Sequence, residues 1–400
     1  MAQVGQDCNR KPVTCIAIYG LGTPSESWLH RQIVGLSRLE PRVLTWHRQN
    51  EDDYPTPGIP VSVCPPRRSS GMLRRRWRYI RNRLQGVGRF GGDKTETDWL
   101  ASGLERYSPD VVIAHFGMLA LRLLPVCRAK GIPLVAHFHG YDITMELRNR
   151  RYARRLAKYL PEFAACICVA GYQRDLLLQY GADTARVHVI PCGAPMDDLP
   201  VARDVGASPC RFIMVGRLVD KKRPDLSIRA FAKCAEHAHD VRLTVIGDGP
   251  FRRRCTALAH TLGVDAKIEW MGTQPNARVR EALAESSVFV QHSVTAPSGD
   301  MEGWPVTIAE AAGAGLPVVS TRHAGITDQI REGIDGYLVD EGDWQKMADH
   351  MLALVRSPAL RTTMGKAARE GMARFDVTRQ IALLEDVLLS VAHQPVGRGR

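Results

Sequence analysis

The sequence predicts an α/β fold made of two Rossmann-like domains, each a doubly wound parallel sheet with helices on both faces. Strand-length apolar runs alternate with helix-length stretches through all 400 residues. The strand candidates are continuously apolar, as expected where both faces of a parallel sheet are covered. A segment rich in Pro, Gly, Asp and Ser, residues 192–210, divides the chain into two halves of similar pattern. We therefore predict two domains joined by a linker and facing each other across a cleft.

Six strands are predicted before the linker and six after it. The first six are residues 14–19, 42–46, 111–115, 133–138, 165–169 and 187–190, and the second six are 211–215, 241–246, 267–271, 287–291, 317–320 and 336–339. The helices predicted between them are residues 117–130, 170–179, 223–237, 250–262, 276–285, 304–314 and 343–355. The resulting division is a first domain over 1–191, a second over 211–376, a helix at 377–392 that returns to the first domain, and a tail at 393–400.

Composition is that of an ordinary soluble globular protein, with 44% hydrophobic and 24% charged residues. No apolar run approaches the roughly 20 residues that span a bilayer, and the N-terminus lacks a signal-peptide core. The ten cysteines include no CxxC pair, which favours reduced, buried thiols and no metal site. We expect a cytoplasmic protein.

The net charge of +12 is concentrated in the first half of the chain. Residues 67–89 hold nine arginines and no acid, and their apolar residues recur at helical spacing. One interpretation is a basic amphipathic helix on an anionic membrane surface, at the inner face of the cell membrane. The other is a helix that packs on its own domain, and nucleic-acid binding is disfavoured because stacking aromatics are sparse. The residues assigned to a membrane surface are Arg74, Arg75, Arg76, Trp77, Arg78 and Arg81.

Two glutamates eight positions apart, Glu302 and Glu310, are the most informative feature of the sequence. They lie in SGDMEGWPVTIAEAAGAGLPVVSTRHAG, where a Gly/Pro loop runs into an Ala-rich helix and then a strand. The first backbone N–H groups of a helix favour an anion, here at Pro305, Val306 and Thr307. With carboxylates to accept hydrogen bonds from hydroxyls, such a site suits a sugar attached to a diphosphate.

Positive charge for a diphosphate is available at Arg217 and Lys222, which follow the first strand of the second domain. No two aspartates stand at i and i+2, the arrangement expected for a diphosphate held through Mg²⁺ or Mn²⁺. We therefore predict no metal and no cofactor, with these two cations and the helix N-terminus taking the place of the ion.

Histidines mark a second candidate site at a strand end of the first domain, in VAHFHGYDIT. His139 is predicted to donate to a sugar hydroxyl or a developing charge, and His137 lies on the same face of the strand. Asp142 is predicted to orient an acceptor hydroxyl. For His115, which ends the preceding predicted strand, a structural role is favoured.

Glycines follow two further strands. In YGLGTPSESWL, Gly22 belongs to no GxGxxG pattern because Ser25 takes the third glycine position, which disfavours a dinucleotide-binding dehydrogenase. Ser25 and Glu26 are instead predicted to begin a helix. Gly247 and Gly249 follow the second strand of the second domain, where a simple turn is favoured over ligand contact.

These features together resemble the retaining glycosyltransferases of family 4, which have the GT-B fold. The resemblance covers most of the chain, and its first-domain part is similar to bacterial exopolysaccharide and colanic-acid-type transferases. The segments that carry it are PSESW, AHFHGYDIT, VGRLVDKKRPDLSIRAF, LTVIGDGP and GDMEGWPVTIAEAAGAGLPVVSTRHAGITDQI. Two positions depart from the family pattern: Arg223 replaces a glycine, and Trp304 stands where Leu or Phe is usual.

The resemblance implies a role for each matching residue. Glu310 would bind the ribose, Glu302 the donor sugar, and Arg217 with Lys222 the departing diphosphate. His139 would lie beside the donor sugar. The helix N-terminus at 305–307 would contact phosphate as well. The remaining donor-binding candidates are Gly22, Gly247, Gly249, Met271 and Gly272, of which the last two would line the base pocket.

The implied reaction moves a sugar from a UDP- or GDP-sugar to a hydroxyl of a glycan or lipid-linked saccharide, with retention of configuration. Two alternatives remain: a nucleotide-sugar epimerase of the same fold, and a non-catalytic nucleotide-sugar-binding protein. The sequence names neither the sugar nor the acceptor.

Overall fold

The computed structural model describes residues 10–65, 80, 94–203 and 209–394. The arginine-rich segment, including the six residues assigned to a membrane surface, lies almost entirely outside them. The chain divides into two compact units. Unit 1 comprises residues 1–168, 174–190 and 381–400, and unit 2 comprises residues 169–173 and 191–380.

Unit 1 contains a seven-stranded sheet in the order β3-β2-β1-β4-β5-β6-β7, with every adjacent pair parallel. Its strands are β1 Val13–Leu21, β2 Glu40–Arg48, β3 Val61–Val63, β4 Val111–His115, β5 Leu134–Phe138, β6 Ala165–Cys168 and β7 Val187–Val189. Its helices are α1 Ser27–Gly35, α2 Lys94–Tyr107, α3 Gly117–Lys130, α4 Arg150–Tyr159 and α5 Gly171–Gln179, the last of which crosses the boundary between the units.

Unit 2 contains a six-stranded parallel sheet in the order β10-β9-β8-β11-β12-β13. Its strands are β8 Cys210–Val215, β9 Val241–Ile246, β10 Ile268–Gly272, β11 Val288–Val290, β12 Val318–Thr321 and β13 Gly336–Val339. Its helices are α6 Pro224–His237, α7 Arg252–Thr261, α8 Asn276–Ala284, α9 Val306–Gly313, α10 Ile326–Gln329, α11 Trp344–Arg356 and α12 Pro358–Met372. The last helix, α13 Val377–Ala392, begins in unit 2 and continues into unit 1.

Both sheets are buried because their strands are apolar on both faces. All five residues of β4 and all five of β5 are buried, as are all three of β11. Helices pack over the strands and complete a separate apolar core in each unit. The prediction of two doubly wound parallel sheets is confirmed.

Sequence order reverses once in each sheet, between β1 and β4 in unit 1 and between β8 and β11 in unit 2. Ligands of open parallel sheets bind outside the carboxyl ends of the strands at such switch points. The fold therefore directs attention to the residues that follow β8 and β11, and to those that follow β1, β4 and β5.

The nine cysteines in the described residues are all buried, and none of them forms a disulfide. No helix in the described part of the chain is both long and apolar enough to cross a membrane.

Candidate functional site

A buried ion pair lies at the switch point of unit 2. Lys222 Nζ is 2.9 Å from Glu302 Oε1 and donates to Gln291 Oε1 at 3.2 Å. Lys222 lies just beyond β8 and Gln291 just beyond β11, so the two strands flanking the switch point both contribute. Lys221 lies 3.9 Å from the second oxygen of Glu302 and 3.1 Å from Asp300. Two ammonium groups thus converge on one carboxylate.

The two lysines of this cluster are balanced by two carboxylates, and all four side chains are largely shielded from water. Glu302 is 5% exposed, and burial alone would raise its pKa. The pKa of Glu302 nevertheless falls to about 2, because the ammonium groups of Lys222 and Lys221 outweigh the burial. Burial lowers the pKa of Lys222, and Glu302 opposes that shift. Glu302 is therefore a preformed anion that accepts hydrogen bonds, while Lys222 is a cation held in place.

The loop that carries Glu302 is fixed through its backbone on both sides. The N–H of Glu302 donates to His323 Nε2 at 3.1 Å, and its carbonyl accepts from the Tyr172 hydroxyl at 2.8 Å. His323 Nδ1 is 2.6 Å from Glu341, which also accepts from the backbone N–H of Thr295. Because His323 Nε2 accepts, its Nδ1 carries the proton and donates to Glu341. Glu341 and His323 therefore position the glutamate without touching its side chain.

Close backbone packing supports the same loop. A Cβ on Gly325 would lie 1.8 Å from the carbonyl oxygen of Gly303, so only glycine fits there. Trp304, the departure from the family pattern, is 4% exposed and packs against Phe375 with ring centroids 5.6 Å apart. Its side chain is thus used to build the loop.

Helix α9 begins directly after this loop. Pro305 occupies its N-cap and lacks an N–H, and in the described structure no side chain caps this end. The N–H groups of Val306 and Thr307 lie in the first turn, where an anion is favoured, and their contact with phosphate stays a prediction. Thr307 Oγ1 is buried without a hydrogen-bond partner among the described residues. Glu310 lies one turn further along the same helix and is partly exposed.

The other phosphate candidate, Arg217, is exposed just after β8 and makes no ion pair with a described residue. The following residues form a tight turn in which Arg223 has φ +31°, a left-handed conformation that favours glycine. Arg223 holds this conformation with two 2.9 Å hydrogen bonds to the Asp225 carboxylate. The arginine that replaces the family's glycine is therefore accommodated by a neighbouring acid.

The glycines of unit 2 have structural reasons for being glycine. A Cβ on Gly247 would lie 2.0 Å from the Gly216 carbonyl oxygen, and both residues have positive φ. The carbonyl of Gly272 accepts from the N–H of Gly247 at 2.7 Å. Met271 is partly exposed, and its carbonyl accepts from the Gln274 side chain at 2.6 Å. Gly249 likewise approaches the Leu218 backbone. Their contact with a nucleotide base stays a prediction.

In unit 1, Gly22 has φ +82°, and a Cβ there would lie 1.8 Å from the Gln49 carbonyl oxygen. This close packing explains the glycine, and its contact with a donor stays a prediction. The helix start predicted from Ser25 and Glu26 is wrong in detail. Residues 24–26 form a single 3-10 turn before α1, and neither that turn nor the helix has a side-chain cap.

The predicted role of Asp142 is also wrong, because its carboxylate is already used inside unit 1. Asp142 is fully buried and accepts three backbone hydrogen bonds, from His139 at 3.0 Å, Gly140 at 2.9 Å and Gly117 at 3.0 Å. Both carboxylate oxygens are engaged by backbone N–H groups, and the side chain is closed off from an acceptor hydroxyl by its burial. Asp142 instead ties the turn after β5 to the start of α3.

Three histidines of unit 1 lie close together, although only His137 and His139 were grouped from the sequence. His115 ends β4, His137 lies in β5 and His139 follows it, and the rings of His137 and His139 have centroids 4.1 Å apart. The Trp28 ring lies 4.4 Å from that of His139. Contact between His139 and a donor sugar stays a prediction.

Sequence reasoning missed four residues of the unit 2 cluster: Gln291, Ser293, His323 and Glu341. Ser293 belongs to it because its hydroxyl donates to Glu302 Oε1 at 3.5 Å. The first three lie one to three residues beyond the buried strands β11 and β12, at the carboxyl edge of the sheet, and this position is the signal that could have found them. Glu341 follows the edge strand β13.

Two doubly wound parallel α/β units, each with a switch point in its sheet, are the architecture of the GT-B class of glycosyltransferases. Two family models match the chain: "Glycosyltransferase Family 4" over residues 35–198 and "Glycosyl transferases group 1" over residues 205–371. The chain is 30% identical over 299 residues to the putative colanic acid biosynthesis glycosyltransferase WcaL of Salmonella typhimurium, covering 69% of this chain and 70% of that protein. It belongs to the family 4 glycosyltransferases.

Other relatives agree. The chain is 31% identical over 253 residues to the Escherichia coli protein of the same description, and this match spans 62% of each chain, less than two thirds of the relative's length. It is 26% identical to the amylovoran biosynthesis glycosyltransferase AmsK of Erwinia amylovora over 71% of both chains.

Among solved structures, Anabaena HepE in complex with UDP and glucose matches with a TM-score of 0.76 at 18% identity, covering 95% of this chain and all of that one. The lipopolysaccharide-biosynthesis glycosyltransferase WaaG matches with a TM-score of 0.68 at 17% identity, covering 94% of this chain and 99% of that one. These likenesses show that the fold is GT-B.

Proposed function

We propose that this protein transfers a sugar from a nucleotide sugar to an acceptor hydroxyl, with retention of anomeric configuration, in the synthesis of a bacterial exopolysaccharide or cell-envelope polysaccharide. The observation that carries the proposal is the Lys222–Glu302 pair at the switch point of unit 2, immediately before the uncapped start of α9. The names of the relatives WcaL and AmsK and the UDP and glucose bound to HepE support the same class of reaction.

In the proposed reaction, the bond between the sugar's anomeric carbon and the diphosphate oxygen breaks. Negative charge then develops on the leaving phosphate, where the Lys222 ammonium group, Arg217 and the first N–H groups of α9 stabilise it. The acceptor oxygen bonds to the anomeric carbon on the same face, and its proton passes to the leaving phosphate. The carboxylate of Glu302 accepts hydrogen bonds from the donor sugar, and Glu310 accepts them from the ribose.

Fixed protein cations replace a divalent metal at the diphosphate in this proposal. Lys222 is held between Glu302 and Gln291, so its charge needs no reorganisation as the leaving group departs. Donor binding is therefore expected to be unchanged by a chelator.

The first test is a thermal-shift screen of the full chain against UDP, GDP, ADP, CMP and their common sugar conjugates. A ligand at about 100 times its dissociation constant stabilises by roughly 2.7 kcal/mol, which raises the melting temperature measurably. Stabilisation by one nucleotide class is the expected result. No shift with any nucleotide or conjugate would contradict donor binding in unit 2.

Glu310→Ala is expected to weaken binding of the stabilising nucleotide by about 1–3 kcal/mol, because a charged acceptor for the ribose hydroxyls is lost. Titration calorimetry measures this change. The matched control is Glu236→Ala, which removes an exposed carboxylate from α6 in the same unit. Equal affinity in the Glu310→Ala variant and the control would remove Glu310 from the site.

We further propose that the arginine-rich segment at residues 67–89 brings the enzyme to an anionic membrane surface, where a lipid-linked acceptor is found. Replacing Arg74, Arg75, Arg76 and Arg78 with Glu is expected to abolish sedimentation with phosphatidylglycerol vesicles while leaving nucleotide binding unchanged. Vesicle binding at the wild-type level in this variant would contradict the assignment.

A further inference from the structure

Three imidazoles from neighbouring strand ends meet in unit 1. His115 and His137 are register partners on the parallel strands β4 and β5, so their side chains lie side by side on one face of the sheet. His139 follows β5 two residues after His137. The ring centroids are 4.9 Å apart for His115 and His137, 4.1 Å for His137 and His139, and 5.1 Å for His115 and His139.

The nitrogens of this cluster are poorly satisfied by the protein. His115 Nδ1 and His139 Nε2 are 2.9 Å apart, which is one shared hydrogen bond. His137 is fully buried, and neither of its ring nitrogens has a hydrogen-bond partner among the described residues. His139 Nδ1 is likewise buried without one. Buried polar groups are normally paired, so these nitrogens point to a missing ligand.

Ligand atoms from the three rings are close enough to share one ion. One nitrogen of each histidine lies within 4.8 Å of the corresponding atoms of the other two. A Zn²⁺ ion bound at 2.0–2.1 Å by tetrahedral nitrogens needs them about 3.3 Å apart. Binding of one ion therefore requires the three rings to turn until their ligand nitrogens converge at that spacing.

The turn that bears His139 is fixed in place. The three hydrogen bonds that Asp142 accepts hold this turn against the start of α3. The cluster is thus preorganised.

We propose that His115, His137 and His139 form a site for one divalent transition-metal ion, with Zn²⁺ as the ion, three nitrogen ligands and an open fourth position. Imidazole ligands suit Zn²⁺ and its borderline neighbours, and exclude Mg²⁺ and Ca²⁺, which take oxygen ligands. All three ligands of this site belong to unit 1.

The test is the metal content of the full chain, produced without a histidine tag in cells grown with added Zn²⁺. The purified protein is dialysed against metal-free buffer, and its zinc is measured by elemental mass spectrometry. About one Zn²⁺ per chain is expected. The His137→Ala variant is expected to contain about tenfold less Zn²⁺ than the wild-type chain after the same dialysis. The matched control, His260→Ala, removes an exposed imidazole in unit 2 and is expected to retain the wild-type amount.

Wild-type protein provides a second measurement that does not depend on a variant folding. Titration of the dialysed chain with Co²⁺ is expected to produce the strong visible absorption of a tetrahedral site, saturating at about one equivalent and abolished by Zn²⁺. Wild-type chain with neither bound Zn²⁺ nor this absorption overturns the proposal. Full metal content in His137→Ala overturns it as well, because the ion then lies elsewhere. Both readouts need no substrate, so they are independent of the proposed transfer reaction.

Discussion

Replacing Lys222 with methionine is expected to lower the turnover of nucleotide sugar by about 10²–10³-fold, or roughly 3–4 kcal/mol in the barrier. Methionine keeps an unbranched chain of similar length but removes the ammonium group that lies 2.9 Å from Glu302. The charge on the leaving diphosphate then loses its buried, preorganised partner. The measurement is the rate of nucleoside diphosphate release at saturating donor.

Two further variants separate this effect from general damage. Lys233→Met removes a lysine from α6 whose nearest carboxylate is 4.0 Å away, and it is expected to keep the wild-type rate. Lys222→Arg keeps the charge with a different shape and is expected to fall between the two. A Lys222→Met variant that is folded by circular dichroism and turns over at the wild-type rate would exclude this lysine from the chemistry.

Replacing Asp142 with alanine is expected to lower the free energy of unfolding by about 2–5 kcal/mol. The carboxylate satisfies three backbone N–H groups, at His139, Gly140 and Gly117, and each buried donor left unpaired costs about 1–3 kcal/mol. Partial access of water to His139 keeps the total below the sum of three full penalties. Urea unfolding followed by intrinsic fluorescence measures the loss.

The control for this variant is Asp52→Ala, which removes an exposed carboxylate of the same unit and is expected to change stability by less than about 0.5 kcal/mol. Hydrogen exchange should also locate the effect in the turn after β5 and at the start of α3. Equal stability of the Asp142→Ala and Asp52→Ala variants would show that the three N–H groups find other partners.

Much of the fold was predictable because apolar runs and helical periodicity are local signals. The strand at Val241–Ile246 and the helix at Gly117–Lys130 are observed with the bounds that their sequences predict. The strand Val61–Val63 was missed because three residues at a sheet edge leave almost no apolar signal. The helix Arg150–Tyr159 was missed because only three of its ten residues, Tyr152, Ala153 and Leu156, are buried.

The candidate site was predictable only in part. Glu302 and Lys222 were found because a carboxylate before a helix and a cation after a strand have a chemical meaning wherever they occur. Their contacts could not be predicted, because Lys222 contacts Gln291, which lies 69 positions away in the sequence. The three-histidine cluster was missed for the same reason. Strand pairing brings His115 beside His137, and no local spacing in the sequence indicates that the two strands are neighbours.

The central claim is transfer of a sugar from a nucleotide sugar. The most direct test measures the release of nucleoside diphosphate from UDP- and GDP-sugars, with and without a bacterial lipid extract as the source of acceptor. The wild-type chain is expected to release one nucleoside diphosphate rapidly when the extract is present and slowly by hydrolysis when it is absent. Lys222→Met is expected to lose both rates. Wild-type release no faster than that of Lys222→Met, with every donor and with the extract present, would contradict the account.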